Sequence, residues 1–257
     1  MYLFIIYKIF INVIHFDNLF SAHCLIYNAP KHTGSIRDLA YLLTNYYSNI
    51  TSIICLTIAF LLAYIGLFKK SNYFTNTVLW LSIINLNNYL YPTLTAGDYL
   101  LNQLLLFNIF FSFKPSARPF IEDFKIAFHN AALIGIKVQI CLAYFLAALF
   151  KLNDVDWLDG SALWNTIQIP EYSNSLLTCL PISLCTGLTY LTIIYQLTFP
   201  VMVFMSSTKK YVFTFGIIQH LIIALAMGLF SFGIIMMMCY ILFLKYDDGS
   251  KTTIQTL

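Results

Sequence analysis

The sequence predicts an all-α integral membrane protein: a polytopic helical bundle of about seven transmembrane spans, read as one domain over residues 1–257. Three observations carry that prediction. The chain is 60% hydrophobic and 17% aromatic but only 10% charged, where an ordinary soluble domain carries about 25% charged residues. Apolar runs of bilayer length recur from end to end, about 20 residues being what a ~30 Å hydrocarbon core requires. Basic residues collect in alternate loops, the pattern of cytoplasmic connections. The same composition excludes intrinsic disorder. A net charge of +3, scattered along the chain, excludes a nucleic-acid surface.

The spans are expected at about 1–16, 51–68, 76–94, 99–113, 130–150, 176–205 and 211–244. The first has Lys8 as its only early positive charge and no small-x-small cleavage site, so it reads as a true span and not a signal peptide. Residues 21–50, with Pro30, Gly34, Arg37 and Asp38, form a polar external loop. Asn49-Ile50-Thr51 matches a glycosylation sequon, a triplet common by chance. The fourth span is short. Tyr91-Pro92 and Gly97-Asp98 punctuate the chain before it, which suggests a re-entrant start. Residues 151–175 form a second external loop, with Asp154, Asp156, Asp159 and Glu171 against Lys151. The seventh run would be ~50 Å long as one helix. It is either a long tilted helix or a pair broken near Gly228-Leu229-Phe230.

Charge sets the orientation. Lys69-Lys70, then Lys114, Arg118 and Lys125, then Lys209-Lys210 follow the second, fourth and sixth spans. By the positive-inside rule these loops and the N-terminus are cytoplasmic, in a cell or inner membrane. Of the six cysteines, Cys55, Cys141, Cys179, Cys185 and Cys239 lie in apolar stretches, and Cys24 lies in a polar one. None has C-x-x-C spacing, so they read as small packed residues and imply no disulfide framework.

Ionisable groups inside a membrane are costly and point to function. Asn130, Lys137, Tyr144 and Lys151 fall at intervals of seven and form a polar stripe that drifts only ~20° per step. Gln139 is offset from it. The plainer account is that Lys137 and Lys151, ~21 Å apart, snorkel to opposite ends. Asn85, Asn87, Asn88 and Tyr89 in the third span, and Asn102, Gln103 and Asn108 in the fourth, must bond across helices or face a hydrated cavity. His220, beside Gln219, is the one histidine deep in an apolar run. No phosphate-binding loop, dinucleotide fingerprint, H-E-x-x-H or G-x-S-x-G occurs. The five histidines are dispersed, so no metal is expected. No pair of discontinuous helices recurs at matching positions, as in a transporter with inverted repeats.

Gln139, Tyr144-Phe145, Lys151-Leu152, Asp156-Trp157 and Gly160 resemble the core of the vitamin K-dependent γ-glutamyl carboxylase family, within the wider horizontally transferred transmembrane (HTTM) domain. Asn87-Asn88 through Gly97-Asp98-Tyr99 is similar to its middle portion, and His220 with Phe230-Ser231-Phe232-Gly233 to its last helical region. The resemblance covers about residues 80–244. It implies that Lys151, at the outer end of a helix, is a deprotonated base that starts the oxidation of a reduced quinone by O₂. Around Lys151 the candidate pocket-lining residues are Tyr144, Trp157, Asp98, His220, Gln139 and Lys137, with Trp157 as a wall for the flat ring; where the family would align a histidine before the fourth span, this chain has Gly97-Asp98. The animal carboxylase has two adjacent lysines where this chain has Phe150-Lys151. A large external substrate domain has no counterpart after the last span, so peptide carboxylation is not expected.

Two functions are carried forward. One is a carboxylase-like membrane oxidoreductase acting on a lipid-soluble quinol of vitamin K type. The other is a non-catalytic integral subunit that anchors or assembles partner proteins. Both imply a lipid bilayer, the second a membrane-protein partner, and neither a nucleic acid. The first makes a geometric demand: Asp154 and Asp156 should point away from the Lys151 amine, because a close carboxylate would hold it as an ammonium.

Overall fold

The computed structural model describes residues 1–20, 49–69, 72–90, 93–111, 119–174 and 177–244. Every regular element among the described residues is helical. In chain order these are α1 (Tyr2–Ile14), α2 (Phe16–Phe20), α3 (Asn49–Phe68), α4 (Tyr73–Tyr89), α5 (Ala96–Ile109), α6 (Pro119–Lys151), α7 (Val155–Leu158), α8 (Ala162–Ile167), α9 (Ile182–Met202), α10 (Ser206–Leu225) and α11 (Phe230–Leu244), with a 3₁₀ turn at Pro170–Tyr172 before α9. Most of the 21–50 loop, and Lys70, Tyr91-Pro92, Lys114 and Arg118, lie outside the described residues. Among the described residues three helical segments are long and apolar enough to cross a membrane: Ile50–Phe68, Phe120–Lys151 and Ile182–Met202. The apolar helices α1 and α11 are shorter, at 13 and 15 residues.

Helix boundaries follow local chemistry. Asn72 caps α4: its Oδ1 accepts from Thr75 N at 2.9 Å, and Thr75 Oγ1 accepts from Asn72 N at 3.0 Å. This reciprocal pair satisfies two donors that a helix start leaves open. The start of α5 departs from the sequence expectation. Gly97-Asp98 does not punctuate the chain before the helix but lies in its first turn. The Asp98 carboxylate accepts from Thr95 N at 2.8 Å and Thr95 Oγ1 at 3.0 Å, and a carboxylate there also meets the positive end of the helix dipole. The open question at 211–244 is resolved as a pair of helices. Gly228 has φ +71°, a left-handed conformation that glycine adopts without steric cost, and it lies in the turn between Leu225 at the end of α10 and Phe230 at the start of α11.

The chain divides into two compact units, Met1–Ile136 and Lys137–Leu257. In the first unit α1 packs on α3, α3 on α4 and α4 on α5. Gly66 lets the Tyr2 ring lie against α3, since a Cβ there would come within 2.8 Å of it. Polar bonds then tie three helices. Tyr2 Oη donates to Asn76 Oδ1 at 3.1 Å, Asn76 Nδ2 to Asn108 O at 3.0 Å, and Asn108 Nδ2 to Tyr2 Oη at 3.2 Å. Asn87 Nδ2 donates to Asn102 Oδ1 at 3.0 Å. Asn76, Asn87, Asn102 and Asn108 thus find their partners across helices. Lys8 on α1 forms an ion pair with Asp98 on α5.

In the second unit α9 packs on α8 and α10, and α10 on α11. Ile167, Leu177 and Cys185 form a small core under Trp164, Leu180 and Met227. Gly233 permits the close approach of α10 and α11, because a Cβ there would lie 2.7 Å from Ala224 Cβ.

Candidate functional site

Two constellations in the second unit hold chemistry-bearing side chains. The first is a buried polar cluster to which four helices contribute one residue each. Tyr144 comes from α6, on the ridge Ala132, Ile136, Ile140, Tyr144 and Ala148, buried at a spacing of four. Tyr195 comes from α9, His220 from α10 and Tyr240 from α11, and all four side chains are buried. Tyr144 Oη lies 2.8 Å from His220 Nε2 and 2.6 Å from Tyr240 Oη. Tyr240 Oη lies 3.0 Å from Tyr195 Oη, which donates to Val212 O at 3.2 Å. Gly216 makes room for the hydroxyls, since a Cβ there would overlap those of Tyr240 and Tyr195. Phe199 stacks on the Tyr144 ring at 4.0 Å between centroids. The cluster holds no carboxylate, and its hydrogen bonds run between phenol, imidazole and backbone groups.

The second constellation is the Lys151 end of α6 and the segment after it. Lys151 is half-buried, and its Nζ lies 4.6 Å from the centroid of the Trp157 ring, within the range of a cation–π contact. The neighbouring carboxylates are engaged elsewhere. Asp154 caps α7, accepting from Asp156 N at 3.0 Å. Asp156 Oδ2 accepts from Asn165 Nδ2 at 3.1 Å. Asp159 accepts from Ser161 N at 2.8 Å, and hydrogen bonds from the Ser161 hydroxyl and backbone hold its carboxyl below the usual carboxylate range. Among the described residues no carboxylate forms a salt bridge with Lys151.

This segment is fastened to α9. Gly160, at φ +82°, turns the chain where a Cβ would lie 2.6 Å from Thr186 Cγ2. Tyr190 Oη donates to Leu158 O at 2.9 Å, and Leu163 N donates to Thr189 Oγ1 at 3.2 Å.

The candidate residues therefore fall into separate groups. Tyr144 and His220 meet directly, and Lys151 meets Trp157. Lys137 lies with its Nζ 5.9 Å from the Phe243 ring centroid. Gln139 is half-buried, five residues before Tyr144 and so about 140° around α6 from it. Asp98 belongs to the first unit, where Lys8 and Thr95 engage its carboxylate. Among the described residues no group of three or more His, Cys, Asp or Glu side chains is placed to hold a metal ion.

Sequence reasoning missed Tyr195, Tyr240 and the partnership of Lys8 with Asp98. The two tyrosines are among 18 in the chain, and only their meeting with Tyr144 in space sets them apart. The chain matches no family model, no curated protein and no solved structure.

Proposed function

We propose that the protein is a multi-pass membrane protein that takes a proton from a lipid-soluble quinol at its outer face, with Lys151 as the base. In this reading the N-terminus is cytoplasmic and the 151–175 loop is external. The run expected as the seventh span is the α10–α11 pair, so in this reading two crossings replace one and Leu244 returns to the cytoplasmic side. The observation that carries the reading is the setting of Lys151: its amine lies on the face of Trp157 while Asp154, Asp156 and Asp159 are each turned to another donor.

A lysine clamped by a carboxylate is an anchor, whereas one on an aromatic face can exchange its proton. In the proposed step the quinol O–H bond breaks. Its proton goes to the Lys151 nitrogen, and the electron pair stays on oxygen as the quinolate. Trp157 favours the ammonium that forms, through its ring face, and offers a flat wall for the quinol ring. Resemblance to the carboxylase family adds oxidation of the quinolate by O₂ as the next event.

The test is O₂-dependent consumption of vitamin K hydroquinone by the full chain in lipid nanodiscs. Lys151→Met should lower the rate by about 10²–10⁴-fold, the contribution of a general base, while Phe150→Leu should leave it within a few-fold. Equal rates for Lys151→Met and the wild type, or no turnover by a folded wild-type chain, would overturn the reading.

A second reading, a non-catalytic integral subunit that anchors or assembles partner proteins, is favoured by the tyrosine–histidine cluster, whose bonds hold its own four helices together. Native separation of gently solubilised membranes discriminates the two. A chain that is inert toward the quinol and migrates only within a larger assembly supports the subunit.

A further inference from the structure

The proton order in the buried cluster can be deduced from its anchor. Tyr195 Oη is 3.2 Å from the carbonyl oxygen of Val212. A carbonyl oxygen only accepts, and a phenol has a single proton to give. Tyr195 therefore donates to Val212, and Tyr240 must donate to Tyr195. With that proton assigned, Tyr144 must donate to Tyr240 across their 2.6 Å contact. Tyr144 then has no proton for the imidazole 2.8 Å away, so His220 Nε2–H donates to Tyr144. One backbone carbonyl thereby fixes the tautomer of His220 through three phenols. The chain conducts no proton onward, because it ends on an amide carbonyl.

In this tautomer Nδ1 of His220 is a bare lone pair. It is buried and has no hydrogen-bond partner among the described residues. Phe232, edge-on with ring centroids 5.7 Å apart, offers it no donor. A buried acceptor left unpaired costs more than an average hydrogen bond contributes. Protonating Nδ1 does not relieve this, because it places an unpaired N–H and a net charge in the same apolar surroundings.

We infer that His220 Nδ1 is a binding site for an O–H donor from outside the chain, either a water or the hydroxyl of a lipid-soluble phenol or quinol. The tyrosines are positioning residues that aim this lone pair. The inference rests on the cluster alone and does not depend on Lys151 acting as a base.

The test is ¹⁵N solid-state NMR of the full chain in lipid nanodiscs with labelled histidine, the His220 signals being identified by their loss in His220→Gln. The expected spectrum has the proton on Nε2, and an Nδ1 resonance displaced from that of a free lone pair by an accepted hydrogen bond. If water is the donor, the displacement is present without additive and Nδ1 receives magnetisation from water. If a ligand hydroxyl is the donor, the displacement appears on adding 2-methyl-1,4-naphthohydroquinone under argon and not with its dimethyl ether. Tyr195→Phe removes the anchor and should admit a measurable fraction of the Nδ1–H tautomer. A proton on Nδ1 in the wild type, or a lone pair there undisplaced under both conditions, would overturn the inference. So would a Tyr195→Phe protein with an unchanged tautomer. Should that variant fail to fold, the wild-type spectrum decides alone.

Discussion

At the residue scale, the four-membered cluster makes unequal demands on its tyrosines. Tyr144 bonds to both His220 and Tyr240, so Tyr144→Phe leaves the imidazole N–H and the Tyr240 hydroxyl short of a partner inside the bundle. Leaving buried polar groups unmade costs about 1–3 kcal/mol. Tyr195→Phe takes the acceptor from the Tyr240 hydroxyl, but that proton can turn back to Tyr144 while Val212 O stays in the α10 ladder, so a smaller loss is expected. Thermal unfolding in detergent should rank Tyr144→Phe as the more destabilised of the two, and the reverse order would contradict the hydrogen-bond assignment. Lys137, Tyr144, Lys151 and His220 were visible in the sequence as polar residues in apolar runs, because charge and hydrogen-bonding capacity are properties of the side chain itself. Tyr195 and Tyr240 were not, since a tyrosine in a membrane helix is unremarked until its hydroxyl meets another.

At the element scale, Gly160 and Gly228, both at positive φ, separate backbone strain from crowding. A Cβ at Gly228 has Glu171 O at 3.8 Å as its nearest neighbour, so Gly228→Ala should cost only the left-handed penalty of roughly 1–2 kcal/mol. At Gly160 the same penalty is joined by Thr186 Cγ2 at 2.6 Å and the Tyr190 ring at 3.1 Å. Gly160→Ala should therefore lower the unfolding temperature further than Gly228→Ala, and equal effects would mean that the turn before α8 yields freely.

The link between α1 and α5 gives a third expectation. Asp98 is 4% exposed, and removing one partner of a buried ion pair typically costs about 3–5 kcal/mol because the other charge is left uncompensated. Lys8→Met and Asp98→Asn should each destabilise strongly, and the double variant should recover part of the loss. Strictly additive losses would show that the pair does not couple. The sequence displayed both residues without their pairing, because 90 positions separate them. It also misplaced the start of α5: glycine followed by aspartate reads as a turn, and only the bond from Asp98 back to Thr95 makes it a first helical turn.

At the scale of the whole molecule, the all-helical, apolar character was legible because composition is a bulk property. A chain with 10% charged residues has too few to solvate a soluble surface. The number of crossings was less legible. Hydropathy reports apolar length, whereas proline, glycine and capping side chains decide where each helix stops, and among the described residues three helical segments are both long and apolar enough to cross. Every role given to Lys151 requires the two ends of α9 to open on opposite sides of the membrane, because the Lys151–Trp157 segment is fastened near its start and Lys209-Lys210 follow its end. Native Cys179 is exposed just before α9, and Lys210 is exposed just after it. The direct measurement is labelling by a membrane-impermeant maleimide in a background where the other cysteines are replaced by serine or alanine. Cys179 alone, and a separate Lys210→Cys variant lacking Cys179, are compared in intact and permeabilised cells. Cys179 should be labelled in intact cells, and position 210 only after permeabilisation. Labelling of both positions from the same side would contradict that orientation.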